Sequence, residues 1–212
     1  LPEQGIVMAQ VTSGIRAVLS APAIYDLFEN LVGASRCRAS FVHDFVRPVA
    51  GERVLDVGCG TAAILTCLPA VDYCGYDISQ AYIEKARKRV GERGRFVAAL
   101  LTEHSLDRER PFDLVLAIGL LHHLDDDEAR QLLRLCRAAI ARAGRLVTLD
   151  PCFDCTQSSL ARWIISHDRG QNVRSLDGYC RLASDSFAKT SAHLRNDLLR
   201  IPYTHAILEC SG

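Results

Sequence analysis

The chain has 212 residues, 49% of them hydrophobic, enough to bury a full core in one domain of somewhat more than average size. Its 25 basic and 25 acidic side chains balance without a dense run of Lys and Arg, which argues against a nucleic-acid partner. Nine cysteines at irregular spacings argue against a disulfide framework and for a reducing, cytoplasmic setting, and neither a run of about 18 apolar residues nor a basic-then-apolar leader is present to suggest a membrane span or export.

The spacing of Ile24, Leu27, Phe28, Leu31, Val32, Phe41 and Phe45 predicts helix over residues 23–45, broken near Gly33. From residue 53 short apolar runs alternate with amphipathic stretches, the signature of a parallel sheet built from βαβ units. Strands are expected at 53–57, 73–76, 95–99, 113–118 and 145–149. Helices are expected at 62–68, at 80–90 with Ser79 as N-cap, and at 126–141 with acidic residues at its start and Gly144 past its end. Beyond Asp150 come a lone Cys-x-x-C (Cys152, Cys155), which reads as ordinary thiols with metal or redox chemistry as the alternative, and an amphipathic piece at 160–165. A polar loop at 167–174 and a helix near 177–187 follow, then strands at 190–199 and 204–210. The residues between those strands, 200–203, suit only an antiparallel pair. The expected fold is therefore a Rossmann-like three-layer αβα sandwich in a single domain, with a seven-stranded, mostly parallel sheet carrying one antiparallel strand near its C-terminal end. Its parts are a helical cap (1–50), a cofactor-binding core (51–150), an acceptor-covering segment (151–187) and a terminal hairpin (188–212).

Open parallel sheets bind ligands outside the carboxyl ends of their strands. Asp56, Asp77 and Asp150 all stand at expected strand ends, and a Gly58-Cys59-Gly60 turn follows the first. Asp is common at strand ends and caps, but three such residues around a glycine turn favour a site. The turn permits close approach of a nucleotide-like ligand, and Asp77 is placed to accept hydrogen bonds from ribose hydroxyls. A dinucleotide would lay its pyrophosphate beside Asp56 and be repelled. S-adenosylmethionine presents an ammonium and a sulfonium there instead, which an acid attracts directly or through water.

These residues resemble the class I S-adenosylmethionine-dependent methyltransferases. Asp56-Val57-Gly58-Cys59-Gly60-Thr61-Ala62 is similar to their glycine-rich first motif and Gly75-Tyr76-Asp77-Ile78-Ser79 to their ribose-binding second. Phe112 to Ala117 with Leu121-His122-His123-Leu124 is similar to their fourth strand and following loop, and Gly144 to Pro151 to their fifth strand. The resemblance implies that Asp56 and the turn Gly58, Cys59 and Gly60 hold the methionine end, Asp77 the ribose and Ile78 one face of adenine, with backbone around Ile118 at the sulfonium. Where many relatives end the third strand in an aspartate, this chain has Leu100-Leu101, so apolar contact including Leu101 is expected to hold adenine, with Glu103 as a substitute acid. Ala62 replaces the third glycine, which ordinary helical dihedrals would tolerate.

S-adenosylmethionine as cofactor, with S-adenosylhomocysteine as product, implies direct displacement on a small-molecule acceptor, at oxygen or nitrogen before carbon. The oligomeric state stays open. His122 and His123 are the candidate general bases, with a cap or lid role as the alternative. Tyr25 and Phe28 are candidates to cover the cofactor, and Tyr25, Asp150, Arg169, Arg174 and Tyr203 to bind the acceptor, the arginines through a fork suited to carboxylate or phosphate. A solvated loop and a packed tyrosine are the plainer readings. Leu160, Trp163, Ile164 and Ile165 line an apolar pocket or belong to the core. A nicotinamide-dependent oxidoreductase shares the turn and Asp77 but leaves Asp56 unexplained, and a fold that binds cofactor without turnover is a further rival.

Overall fold

The computed structural model describes residues 33–168 and 170–212. Most of the early helix expected over 23–45, with Tyr25 and Phe28, therefore lies outside the described residues, as does Arg169. The described part starts at Gly33, left-handed at φ 82°, which leads into α1 (Ala34–Phe41) and a π-helical turn at Val42–Val46. The remaining helices are α2 (Gln80–Val90), α3 (Glu103–Leu106), α4 (Asp126–Ala139), α5 (Ser159–Ser166) and α6 (Leu176–Ser184).

Among the described residues one seven-stranded sheet is formed by β1 (Arg53–Val57), β2 (Asp72–Asp77), β3 (Gly94–Ala98), β4 (Phe112–Ile118), β5 (Ile140–Pro151), β6 (Lys189–Arg195) and β7 (His205–Ser211), in the order β3-β2-β1-β4-β5-β7-β6. Only β7 runs antiparallel to its neighbours, as the sequence predicts. The chain steps one way through β1, β2 and β3 and the other way from β4 to β5. Right-handed crossovers then put α2 and α4 on opposite faces. One core joins Val54, Leu114, Leu116 and Val147 to Phe41, Ile64, Leu65, Ile83 and Ala86. The other joins Leu55, Val115, Ala117 and Leu146 to Ala129, Leu133, Cys136, Tyr179 and Leu182. Three layers result, and the strand order reverses between β1 and β4, where such folds place ligands.

Four local expectations are corrected. Residues 62–68 form only a 3-10 turn, Ala63–Cys67, entered through Ala62 at φ 51°, so Ala62 is left-handed and not helical. The cause is the preceding turn: Gly58 and Cys59 both donate to the carbonyl of Tyr76, and the chain must double back. A left-handed alanine costs roughly 1–2 kcal/mol; its methyl is fully buried. Helix α4 ends at Ala139 and β5 begins at once, so Gly144 is a strand residue and not a cap. A Cβ there would lie 2.8 Å from the carbonyl oxygen of Phe112, so glycine lets β4 and β5 approach across a register shift. Strand β6 stops at Arg195, and residues 196–204 make the connection, because Leu198 turns inward to the core instead of continuing the ladder. The short α3, capped by Thr102, was not expected. No helix among the described residues is long and apolar enough to cross a membrane.

Candidate active site

At the reversal point a cleft is lined by Val57 and Gly58 from β1 and its turn, Tyr76 and Asp77 from β2 with Ile78 just after it, Ala99, Leu100 and Leu101 after β3, and Leu120, Leu124 and Leu132. Asp77 organises its floor. Its Oδ2 accepts from the Gly60 amide at 2.9 Å and its Oδ1 from that of Ser79 at 2.8 Å, while Ser79 caps α2. Half-buried, it keeps the outer lone pairs of both oxygens for a ligand. Ile78 beside it is 48% exposed, an apolar face ready to be covered. Gly58 has φ 72°, and a Cβ there would press on Leu120 at 3.0 Å.

Two residues of the glycine motif are not where direct contact with a ligand requires. Asp56 does not line the cleft. Its neighbours in the strand alternate, so Leu55 and Val57 face one core and Asp56 the other, where it is buried with Oδ2 accepting from the Tyr73 hydroxyl at 2.5 Å and Oδ1 without a partner. Burial pushes this carboxyl up to about 7 against the pull of Tyr73. Asp56 is thus a buried carboxyl beneath the turn and not a lining group of the cleft. The Cys59 side chain also points inward: a Cβ on Gly75 would lie 2.7 Å from its Sγ. Only its backbone belongs to the turn. Ile118 is half-buried against the first core, next to Gly119 at φ 64°.

A second group of side chains lies on the same edge of the sheet. The turn after β4 places His122 at 5% exposure, with its Nδ1 2.8 Å from Asp150 Oδ1, which also accepts from the His122 amide at 3.1 Å. Its Nε2 lies 3.3 Å from Asp168 Oδ1. The Tyr203 hydroxyl donates to Asp168 Oδ2 at 2.6 Å. Burial opposes a charge on the ring, but hydrogen bonds to Asp150 and Asp168 outweigh it and push His122 up to about 9. Asp168, although burial works against it, is held well below the usual carboxylate range by His122 and Tyr203. At neutral pH His122 therefore holds a proton between Asp168 and Asp150, the latter carboxyl being shifted upward by burial against the pull of His122. Both of its ring nitrogens are thus engaged within the protein. His123, half-buried, stacks its ring on that of His122 at 4.1 Å.

Asp150 is 1% exposed and serves His122, so it does not face an acceptor directly. Arg174 does not present a free fork either. Its guanidinium donates to Asp126 and to the carbonyls of Leu121, Leu124 and Asn172, fastening the turn that carries His122. Tyr203 reaches the site, with its ring 4.9 Å from His205. Asp168 and Tyr73 were missed as functional groups; the polar density of 167–174 signalled the first, and nothing local signalled the second. On α5, Ile165 is core, whereas Leu160 and Trp163 are exposed, and Trp163 stacks on His167 at 4.5 Å. Cys152 is buried and Cys155 exposed, and no metal-holding group of side chains occurs among the described residues.

Residues 55–146 match a family described as "Methyltransferase domain". Aklanonic acid methyltransferase DauC of Streptomyces sp. (strain C5) is 35% identical over 123 residues, 52% of this chain and 53% of that protein. Demethylmenaquinone methyltransferase of Thermotoga maritima is 31% identical over 134 residues, 59% of this chain and 56% of that protein. The chain thus spans about half the length of the curated relatives it matches. Among solved structures, the S-adenosylmethionine-dependent methyltransferase SibL shares the fold at a TM-score of 0.68 and 20% identity, over 94% of this chain and 60% of that one. The glycine turn, Asp77 and all the residues that line the reversal-point cleft fall within residues 55–146, the stretch that matches this methyltransferase domain.

Proposed function

We propose that this chain transfers a methyl group from S-adenosylmethionine to an oxygen or nitrogen of a small-molecule acceptor. The observation that carries this reading is the state of the turn amides. Gly58 and Cys59 donate to the Tyr76 carbonyl and Gly60 to Asp77, so the amides that would cradle a pyrophosphate are already spent. The element after the turn is a five-residue 3-10 helix, too short to offer a phosphate a strong dipole. A nucleoside without phosphate fits what remains: Asp77 for the ribose hydroxyls, and Ile78, Leu100 and Leu101 for an adenine held by apolar contact. The buried Asp56 carboxyl, its Oδ1 without a partner, lies under the turn, where a cationic ligand end would favour its ionised form against burial.

The cofactor supplies an electrophilic methyl on a sulfonium. The protein's part is to align the partners and exclude water, and positioning alone is worth up to about 7–11 kcal/mol. His122 holds its proton on the acceptor side of the site, so it orients and stabilises rather than abstracts. Relatives named for aklanonic acid and demethylmenaquinone accord with a small-molecule acceptor.

Calorimetric titration with S-adenosylhomocysteine and, separately, NAD tests the reading. Binding of the first alone, weakened on the order of tenfold to a hundredfold in Asp77→Ala, is expected from the loss of charge-assisted hydrogen bonds. Binding of NAD alone overturns it.

A further inference from the structure

Asp168 is held as a bound carboxylate would be held. Its Oδ1 faces Nε2 of His122 at 3.3 Å and accepts from the Gly170 amide at 3.2 Å, while its Oδ2 takes the Tyr203 hydroxyl at 2.6 Å. The donors converge at the carboxyl edge of the sheet, where a Cβ on Gly119 would lie 3.8 Å from the His122 ring. The two carboxylates on His122 are not equivalent. Asp150 sits within β5, is 1% exposed, and receives both the ring and the backbone amide of His122. Asp168 lies in the connection after α5, its side chain 27% exposed, and makes the longer contact. One is the anchor; the other can be exchanged.

We propose that these donors form the site for the acceptor oxygen, that Asp168 is its built-in occupant, and that the acceptor is a weak acid taken up as its anion in place of Asp168. This rests on the methyltransferase reading and narrows it to an oxygen acid: a phenol, an enol or a carboxylic acid. Charge conservation drives the choice. With Asp168 in place the imidazolium has one carboxylate that is held ionised, Asp168, and a second, Asp150, whose charge burial opposes, and exchanging anion for anion preserves that balance. A neutral acceptor would leave the buried imidazolium facing only Asp150, whose charge burial opposes, a costly state. The other polar rings nearby do not supply the difference. His123 stacks on His122, and His205, behind Tyr203, is held neutral by burial, which pushes it down to about 4. After the exchange His122 Nε2 and the Tyr203 hydroxyl both donate to the acceptor oxygen, and no proton needs to move.

The test uses the full chain saturated with S-adenosylhomocysteine, with benzoate as anionic probe and benzamide as its neutral match. Removing the occupant in Asp168→Ala is expected to tighten benzoate binding on the order of tenfold and to leave benzamide unchanged. Adding Tyr203→Phe should remove part of that gain. The 15N resonances of the His122 ring, assigned by their loss in His122→Gln, should shift in Asp168→Ala and return when formate is added but not chloride, a response that a purely structural aspartate would not give. Should Asp168→Ala fail to fold, Asp168→Asn is read by the same criterion. Benzoate no tighter than in the parent, in a variant that still binds S-adenosylhomocysteine and melts cooperatively, overturns the proposal. Failure of the parent protein itself to bind S-adenosylhomocysteine overturns the methyltransferase reading instead.

Discussion

Arg174 directs its whole guanidinium into the protein. Contacts to Asp126 and to the carbonyls of Leu121, Leu124 and Asn172 use the flat fork of donors that a lysine ammonium lacks. Arg174→Lys is therefore expected to lose about 2 kcal/mol of stability, read as a lower urea midpoint at unchanged slope. The sequence shows such a residue as a donor set but not which acceptors surround it, and a fork that matches a ligand carboxylate matches backbone carbonyls equally well. Asp56 was misjudged for another reason. In a strand covered on both faces, both side-chain parities are apolar, so the alternation that would say which way Asp56 points is absent. Asp77 was legible because its role depends on two neighbours in the chain, Gly60 and Ser79.

Among the elements, α4 shows how far local chemistry reaches. Asp125 accepts from the amides of Asp127 and Glu128, and Glu128 returns a hydrogen bond to the Asp125 amide, a complete capping box. Asp125→Ala should cost about 1 kcal/mol, measurable by chemical denaturation, with the affinity for S-adenosylhomocysteine unaffected. Every residue involved is within one turn, and the start of this helix was readable from sequence alone. The segments that were misread depend on distant atoms. The left-handed Ala62 answers to the carbonyl of Tyr76, and Gly144 answers to that of Phe112.

For the molecule as a whole, the buried titratable groups set how stability varies with pH. His122 rises from the ordinary 6.5 to about 9, so the native state binds the extra proton and this contribution, complete below 6.5, is lost as pH climbs through 9. Asp56 rises from 3.8 to about 7, so keeping it buried costs progressively more between those values. Asp168 is depressed, and its contribution is lost only as pH falls below the ordinary carboxylate value of 3.8. His205, pushed down to about 4, runs the other way over the same range, its contribution complete above 6.5 and lost as pH falls towards 4, so it offsets Asp56 and the decline left uncompensated is that of His122 above pH 6.5. His122→Gln should flatten the decline above pH 6.5 by up to about 3 kcal/mol and Asp56→Asn the decline between 3.8 and 7 by up to about 4 kcal/mol, as read from melting temperature across a pH series. The layer architecture was legible because alternating element types and the handedness of crossovers leave few arrangements. The contact of His122 with Asp168 was not, since it spans parts of the chain far apart in sequence.

The only tryptophan in the sequence, Trp163, is 60% exposed, rests on the His167 ring, and precedes Asp168 by little more than one helical turn. Its emission is therefore a label-free optical gauge of the segment that delivers Asp168. Exchange of that carboxylate for another anion can be followed in a stopped-flow fluorimeter with the native chain, at concentrations and speeds that calorimetry does not reach.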